Sequence, residues 1–382
     1  MQFVASREAR EGMCIAEDIC DGGGRVLIAR GQRLGLHHLV RLRKFKISSI
    51  FIDPANGESN VKPVRSDLRD QCQQVLSESF AQVRQEFASK KVALNVTAIK
   101  AATDNLLNAL QRAKKPLVTL CDVSASSDRL MQHSVNVSVL GIMLALDLKA
   151  PREMLHDLAV ALLFHDIGMI TLPESIRFSE QPPNPEQTAA IQQHARLGFE
   201  HLVHSDAISH VASGLILRHH EHLNGSGYPQ SLRGENLSQL SRIMSVAETY
   251  DSLTSGRFGI PAVLPDAAIS YIISNAGILF AKEVVVALCR RIALYPVGSA
   301  VKLNSGEAGI VAGLLPEHPH RPIVLVHVDN HGRTLKQPMV VDLTSDPRRG
   351  ISRSASSLPL VMLARKPEHA PPPIDPIQAN LG

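Results

Sequence analysis

Arg218-His219-His220-Glu221-His222-Leu223-Asn224-Gly225-Ser226-Gly227-Tyr228-Pro229 is the stretch whose reading decides the fold of this chain. Just before it, Ala212, Leu215, Ile216 and His219 follow the i, i+3, i+4, i+7 spacing of one helical face, so His219 continues a core-facing stripe. His220 is turned by about 100° from His219, which still lets the two imidazoles converge at a helix end. Asn224-Gly225 then stops the helix. Paired imidazoles are part of a metal site, and His133, His165-Asp166, His194 and Glu248 can supply the rest.

The flanking helices present those residues inward. Leu130, Met131, Val135, Val139, Ile142, Met143 and Leu146 mark the buried face of a helix that Asp128 would cap, with His133 near its start. Pro151 suits the first turn of the next helix, whose apolar face is Met154, Leu155, Leu158, Leu162 and Leu163. That helix is expected to end at Phe164-His165-Asp166-Ile167-Gly168, with Gly168 as its C-terminal cap. An unpaired Asp166 at the end of a buried helix would be expensive. A proline-rich loop, Gln181 to Pro185, precedes a helix carrying His194, and Asp206 is expected to start another. The last helix, Leu240 to Ser255, puts Met244, Glu248 and Asp251 on one face. A single buried histidine is more often a hydrogen-bonded core residue than a ligand, and a lone His-Asp dipeptide says little. The combination says more: imidazoles and carboxylates from separate helices suit divalent iron, manganese or nickel, whereas a structural zinc site would call for cysteine.

In order along the chain, His, His-Asp and a distant carboxylate resemble the HD phosphohydrolase superfamily. The added His194 and the run from His219 to Pro229 resemble its HD-GYP branch, whose members hydrolyse cyclic di-GMP. The resemblance spans about residues 125 to 295, including His133-Ser134 at its opening and Arg242 through Ser255 in its closing helix. It implies a mainly α, HD-type helical bundle. It also implies that His133, His165, Asp166 and Glu248 hold one metal, and that Asp166 bridges to a second held by His194, His219 and His220. Two ions, iron or manganese, would bind the scissile phosphate and activate water, with Asp166 and His165 at the catalytic centre. Glu221 and Asp251 would orient ligands from outside the ligand set. Gly225, Gly227, Tyr228 and Pro229 would form the lip that takes substrate, together with Arg257.

The chain departs from the family pattern at several positions. Glu248 stands where the family has Asp, and Met169 where it has a phosphate-contacting Lys. Arg257-Phe258-Gly259-Ile260 replaces R-P-Y-R, Arg177-Phe178-Ser179-Glu180 replaces a Lys-Pro-Gly loop, and Arg129 stands where three-metal members have Glu. Two metals is therefore the upper count. The residues leave three readings open. The first is a cyclic di-GMP phosphodiesterase producing pGpG, with a further step to GMP left open. The second is a catalytically degenerate cyclic di-GMP receptor or interaction module, with diguanylate cyclases of GGDEF type as candidate partners. The third is an HD enzyme acting on another phosphoester.

The remaining chain frames this domain. Residues 1–65 read as a small β-rich α+β regulatory or docking domain, with a turn at Asp21 to Gly24, a strand at Val26 to Ala29, a helix over Leu34 to Lys44 and a strand at Ile47 to Ile52. Residues 66–116 read as a helical linker able to carry a homodimer contact, ended by Lys114-Lys115-Pro116, and 117–294 as the HD-GYP domain. Residues 295–365 read as a small β module with strands at 298–303, 308–314 and 323–328 and a turn from Pro319 to Pro322. Residues 366–382, rich in proline, read as a disordered tail. A net charge of +4 without a dense basic patch argues against nucleic acid. Five cysteines without C-x-x-C spacing, and no signal-peptide pattern, predict reduced thiols and a cytoplasmic protein. No apolar run is expected to reach the ~20 residues of a membrane span, the longest being Val135 to Leu148 with Asn136, Ser138 and Asp147 interrupting it.

Overall fold

The computed structural model describes residues 2–5, 9–15, 18–20, 26–45, 47, 49–53, 66–85, 94–112, 129–295, 299–315 and 318–355. The predicted turn at Asp21 to Gly24, the Lys114-Lys115-Pro116 stop, the Asp128 cap and the 366–382 tail lie outside them. The described residues up to Asp53 form a small α+β unit. Strands β1 (Gln2–Ala5), β2 (Cys14–Ile15) and β5 (Ser49–Asp53) pair antiparallel in the order β1-β5-β2, and β3 (Ile19–Cys20) pairs with β4 (Val26–Ile28). Helix α1 (Leu36–Lys44) lies between β4 and β5 in sequence. Ile15, Ile19, Ile28, Leu34, Leu42, Ile47, Ile50 and Ile52 close a core of their own.

Helices α2 (Ser66–Gln85) and α3 (Val96–Arg112) were expected to link two domains, but they share the main core with the helices after them. That core also takes in α4 (Arg129–Asp147), α5 (Arg152–Phe164), α8 (His210–Arg218), α9 (Gln239–Ser255), α10 (Pro265–Ser274) and α11 (Lys282–Arg291). α6 (Glu174–Arg177) and α7 (Pro185–Leu202) complete the helical set. The cause is visible in side chains: Leu76, Phe80, Leu106 and Leu110 are all but fully buried, and Arg69 on α2 donates to Asn136 of α4 at 2.8 Å in the interior.

Helix α4, and α5 with the 3-10 turn after it, are long and apolar enough to cross a membrane by length and composition, contrary to the expectation from the interrupted run. Their mean hydropathies are 1.2 and 1.3, and 78% and 72% of the respective segments are buried inside the protein. The polar positions in α4 are accommodated by partners: Asn136 accepts from Arg69, Ser138 donates to the Ser134 carbonyl, and Asp147 pairs with Arg291 of α11.

Five local expectations are corrected, the first being that Asn224-Gly225 stops helix α8, which already ends at Arg218. Helix α8 starts after Ser209 rather than at Asp206, because the Ser209 hydroxyl caps the Ala212 N–H and donates to Asp157. Gly168 is not a C-terminal cap. Helix α5 ends at Phe164, the chain continues into a 3-10 turn (Ile167–Thr171), and a Cβ on Gly168 would collide with the His194 carbonyl oxygen of α7. Met154 is 37% exposed, since it sits at the margin of the face that Leu155 and Leu158 bury. Pro319 to Pro322 lie inside a strand and not in a turn.

That strand belongs to a five-stranded antiparallel sheet ordered β10-β6-β7-β8-β9. Its members are β6 (Ala300–Leu303), β7 (Ala308–Leu315), β8 (His318–Val328), β9 (Thr334–Asp342) and β10 (Ile351–Ala355). The β7–β8 register slips between Gly313 and Leu315, opposite the two prolines, which have no N–H to give the ladder. Val301, Leu303, Val311, Val324, Val326, Val341 and Leu343 form its core.

Candidate metal centre

Four of the five imidazoles of the centre are aimed by a bond on the far side of the ring. The Nδ1 of His165, His194 and His219 lies 2.7, 2.6 and 2.6 Å from the carbonyl oxygens of Leu162, Ile191 and Ile216, three residues back in each case. A carbonyl only accepts, so each Nδ1 carries a proton and each ring turns its Nε2 inward. For His165 and His219 the accepting carbonyls belong to the last turns of α5 and α8, where helix carbonyls lack intrahelical donors. The Nδ1 of His133 faces Asp251 Oδ2 at 2.7 Å. The inward nitrogens then meet: His133 Nε2 is 3.1 Å from His165 Nε2, and His194 Nε2 is 3.0 Å from His219 Nε2.

Carboxylates complete two buried nests. His133, His165 and Glu248 form one, and Asp166, His194, His219 and His220 the other, each with ligand atoms within 4.8 Å of one another. Glu248 Oε2 is 2.7 Å from His133 Nε2 and 3.3 Å from His165 Nε2. Asp166 Oδ1 is 3.3 Å from His194 Nε2, while its oxygens stand 3.7 Å from His133 and His165. Asp166 thus sits between the nests but groups with the second. Asp166 Oδ1 and Glu248 Oε2 are buried with no hydrogen-bond donor. Converging lone pairs beside orphaned carboxylate oxygens fit divalent cations, and all seven residues are available to hold them.

The electrostatics match. Burial opposes charge on Asp166 and Glu248, but Arg257 and the histidines around Asp166, and His133 beside Glu248, hold both carboxyls well below their usual range. Burial and the Arg257 guanidinium oppose charge on His133, yet Glu248 and Asp251 lift it to about 9. Burial pushes His194, His219 and His220 down, toward the neutral form a metal needs.

The other expected site residues surround these nests. Asp251 orients His133 as expected, and is itself bonded by the Ser255 hydroxyl. Glu221 does not touch a ligand imidazole; its carboxylate accepts the Gln230 and Leu232 N–H groups at 2.6 and 2.8 Å and so pins the glycine-containing lip. The reason is direction: Glu221 follows the end of α8 on the side facing that loop. Gly225 turns the chain at φ 78°, and Gly227 packs against the His220–Glu221 backbone. Tyr228 stacks on His220 with ring centres 4.7 Å apart, and Pro229 follows it at the lip. Met169, 2% exposed, forms a small apolar cluster with Leu172 and Ile191, against which Phe258 packs.

Two features escaped the sequence reading. Ser252 donates to Glu248 Oε1 at 2.7 Å, an i, i+4 pairing on α9 that the spacing Glu248-x-x-x-Ser252 could have disclosed. Arg257, expected to face substrate, instead donates to Asp166 Oδ2 at 2.5 Å, a contact between residues so distant in sequence that no local signal announces it.

A family profile described as HD domain matches residues 119–284, and one described as KOW domain associated with HD domain matches residues 300–357. The chain is 26% identical over 299 residues to the cyclic di-GMP phosphodiesterase PA4108 of Pseudomonas aeruginosa, covering 77% of this chain and 68% of that protein. It is 30% identical over 237 residues to the cyclic di-GMP phosphodiesterase response regulator RpfG of Xanthomonas campestris pv. campestris, covering 60% of each. Residues 119–284 form an HD domain. Among solved structures, the HDG"Y"P protein Bd1817 of Bdellovibrio bacteriovorus aligns with 75% of this chain and 97% of its own, at 18% identity and a TM-score of 0.45. The profile match covers every residue of the two nests, from His133 to Glu248.

Proposed function

We propose that this HD-GYP protein is a cyclic di-GMP phosphodiesterase that works with two divalent ions, manganese or iron, and releases pGpG and then GMP. The observation that carries the reading is the convergence of five imidazoles and two carboxylates into two adjoining buried nests with Asp166 between them. Relatives named as cyclic di-GMP phosphodiesterases support the substrate class. Ions held there supply Lewis-acid activation of the phosphodiester and of attacking water.

The chain's own residues prepare that site. Asp251 and the three helical carbonyls orient four of the five rings with Nε2 toward the centre. Glu221 holds the lip in place, and Tyr228 buttresses His220. Free thiols at Cys14, Cys72 and Cys289 agree with a reducing, cytoplasmic setting.

The test is incubation of cyclic di-GMP with purified protein and Mn(II) or Fe(II), with products separated by chromatography and Asp166→Ala as control. Linear pGpG from the wild type and none from the variant supports the reading. Metal and dinucleotide bound without turnover would make the protein a receptor, the alternative that the apolar Met169–Phe258 flank favours.

A further inference from the structure

Arg257 lies on the loop leaving α9, and its side chain reaches back into the metal centre. Nη2 bonds Asp166 Oδ2 at 2.5 Å, and Nη1 stands 3.6 Å from Glu248 Oε1. These two carboxylates come from different nests. The guanidinium is seated from behind: it lies over the Phe258 ring, 5.0 Å from its centre, and Phe258 packs against the Met169, Leu172 and Ile191 cluster. Phe258 takes a positive φ of 51°, costly for a bulky residue, so the loop is held in this shape by its packing. The arginine is thus built into the centre and not a surface side chain that has drifted there.

Its effect on the two nests is unequal. Asp166 Oδ1 faces His194 and completes the nest with His219 and His220. Oδ2 is the oxygen that faces His133, at 3.7 Å, and Arg257 holds it. The nest of His133, His165 and Glu248 accordingly closes without Asp166. A guanidinium and a divalent ion are drawn to the same oxygens and repel one another across a short gap of low polarity.

We propose that Arg257 is a displaceable counter-cation that gates the His133–His165–Glu248 nest, so that the nest of Asp166, His194, His219 and His220 loads metal first and the other loads only as Arg257 yields Asp166 Oδ2. This rests on the reading of the centre as a two-metal site and adds an order of loading to it. Met169 and Phe258, which differ from the family pattern, act as positioning residues by forming the seat.

The experiment is calorimetric titration of Mn(II) into metal-stripped full-length protein, wild type against Arg257→Met, with electron paramagnetic resonance to detect coupled manganese pairs. The wild type should show one tight and one weaker site. In the variant the weaker site should tighten by roughly tenfold or more, with the tighter one little changed, and coupled pairs should appear at lower Mn(II). Arg257→Lys, which keeps the charge but cannot span both carboxylates, should fall between and guards against a folding failure in the methionine variant. A purely structural arginine would leave the weaker site unchanged or loosen it, and that result overturns the gate while leaving the two-metal reading intact. Two equally tight sites in the wild type would also overturn it. No Mn(II) bound by any of the three proteins would overturn both.

Discussion

Asp166 is fully buried and has four cationic or titratable neighbours: His133, His165, His194 and Arg257. Its replacement by Ala removes the oxygens that lie between the two nests. Bound manganese measured by atomic spectroscopy on the Asp166→Ala protein should fall from two ions per chain to one or none. Met169 presents the opposite case. It is packed among Leu172 and Ile191, so a lysine there buries an ammonium unless its stem threads out to the site. Met169→Lys should cost roughly 1–3 kcal/mol, read as a lower denaturation midpoint. An unchanged midpoint would mean that the ammonium reaches the centre. Cys72 offers a pH test. Burial, only partly opposed by Arg69, pushes its thiol up to about 12. A raised thiol pKa favours the neutral, unreactive form, so native protein at pH 8 should resist alkylation at Cys72 until denatured, as peptide mass mapping would report.

At the scale of elements, four residues of the centre, His165, Asp166, His219 and His220, come from helix ends. α5 and α8 stop one residue before His165 and His219, and each histidine reaches back to a carbonyl of the turn it terminates. Periodicity and turn residues carried both stops too far, to Gly168 and to Asn224-Gly225, because the chain leaves the helix as soon as His165 and His219 turn toward the centre. Periodicity could not choose between Asp206 and Ser209 as the cap of α8, since both are good capping residues and the choice fell to the one that also reaches Asp157. Nor could it see that Gly168 is small for the sake of α7. Gly168→Ala would drive a methyl into the His194 carbonyl and push α7 away. The expected result is a loss of roughly 2 kcal/mol or more together with weaker Mn(II) binding, separable by comparing melting with and without metal. Unchanged binding in the folded variant would show that α7 does not need this close approach.

For the whole molecule, the single core that runs from α2 to α11 makes those first two helices part of the body that carries the candidate metal centre. A chain beginning at 66 should fold cooperatively and hold metal. One beginning at 117 would expose the faces that Leu76, Phe80, Leu106 and Leu110 cover, and should melt tens of degrees lower or aggregate, as circular dichroism would reveal. Equal melting of the two would return α2 and α3 to the status of a linker. By itself the amino-acid sequence determined the helical class, the positions of most helices and the residues that converge in the two nests, because apolar periodicity and a long motif are local signals. Only the tertiary structure decided that α2 and α3 join the main core, that Glu221 braces the lip, that Met169 is sealed in an apolar cluster and that Arg257 lies on Asp166. Each of those depends on contacts between segments far apart in the chain, which arise from packing in three dimensions and leave no periodic trace along it.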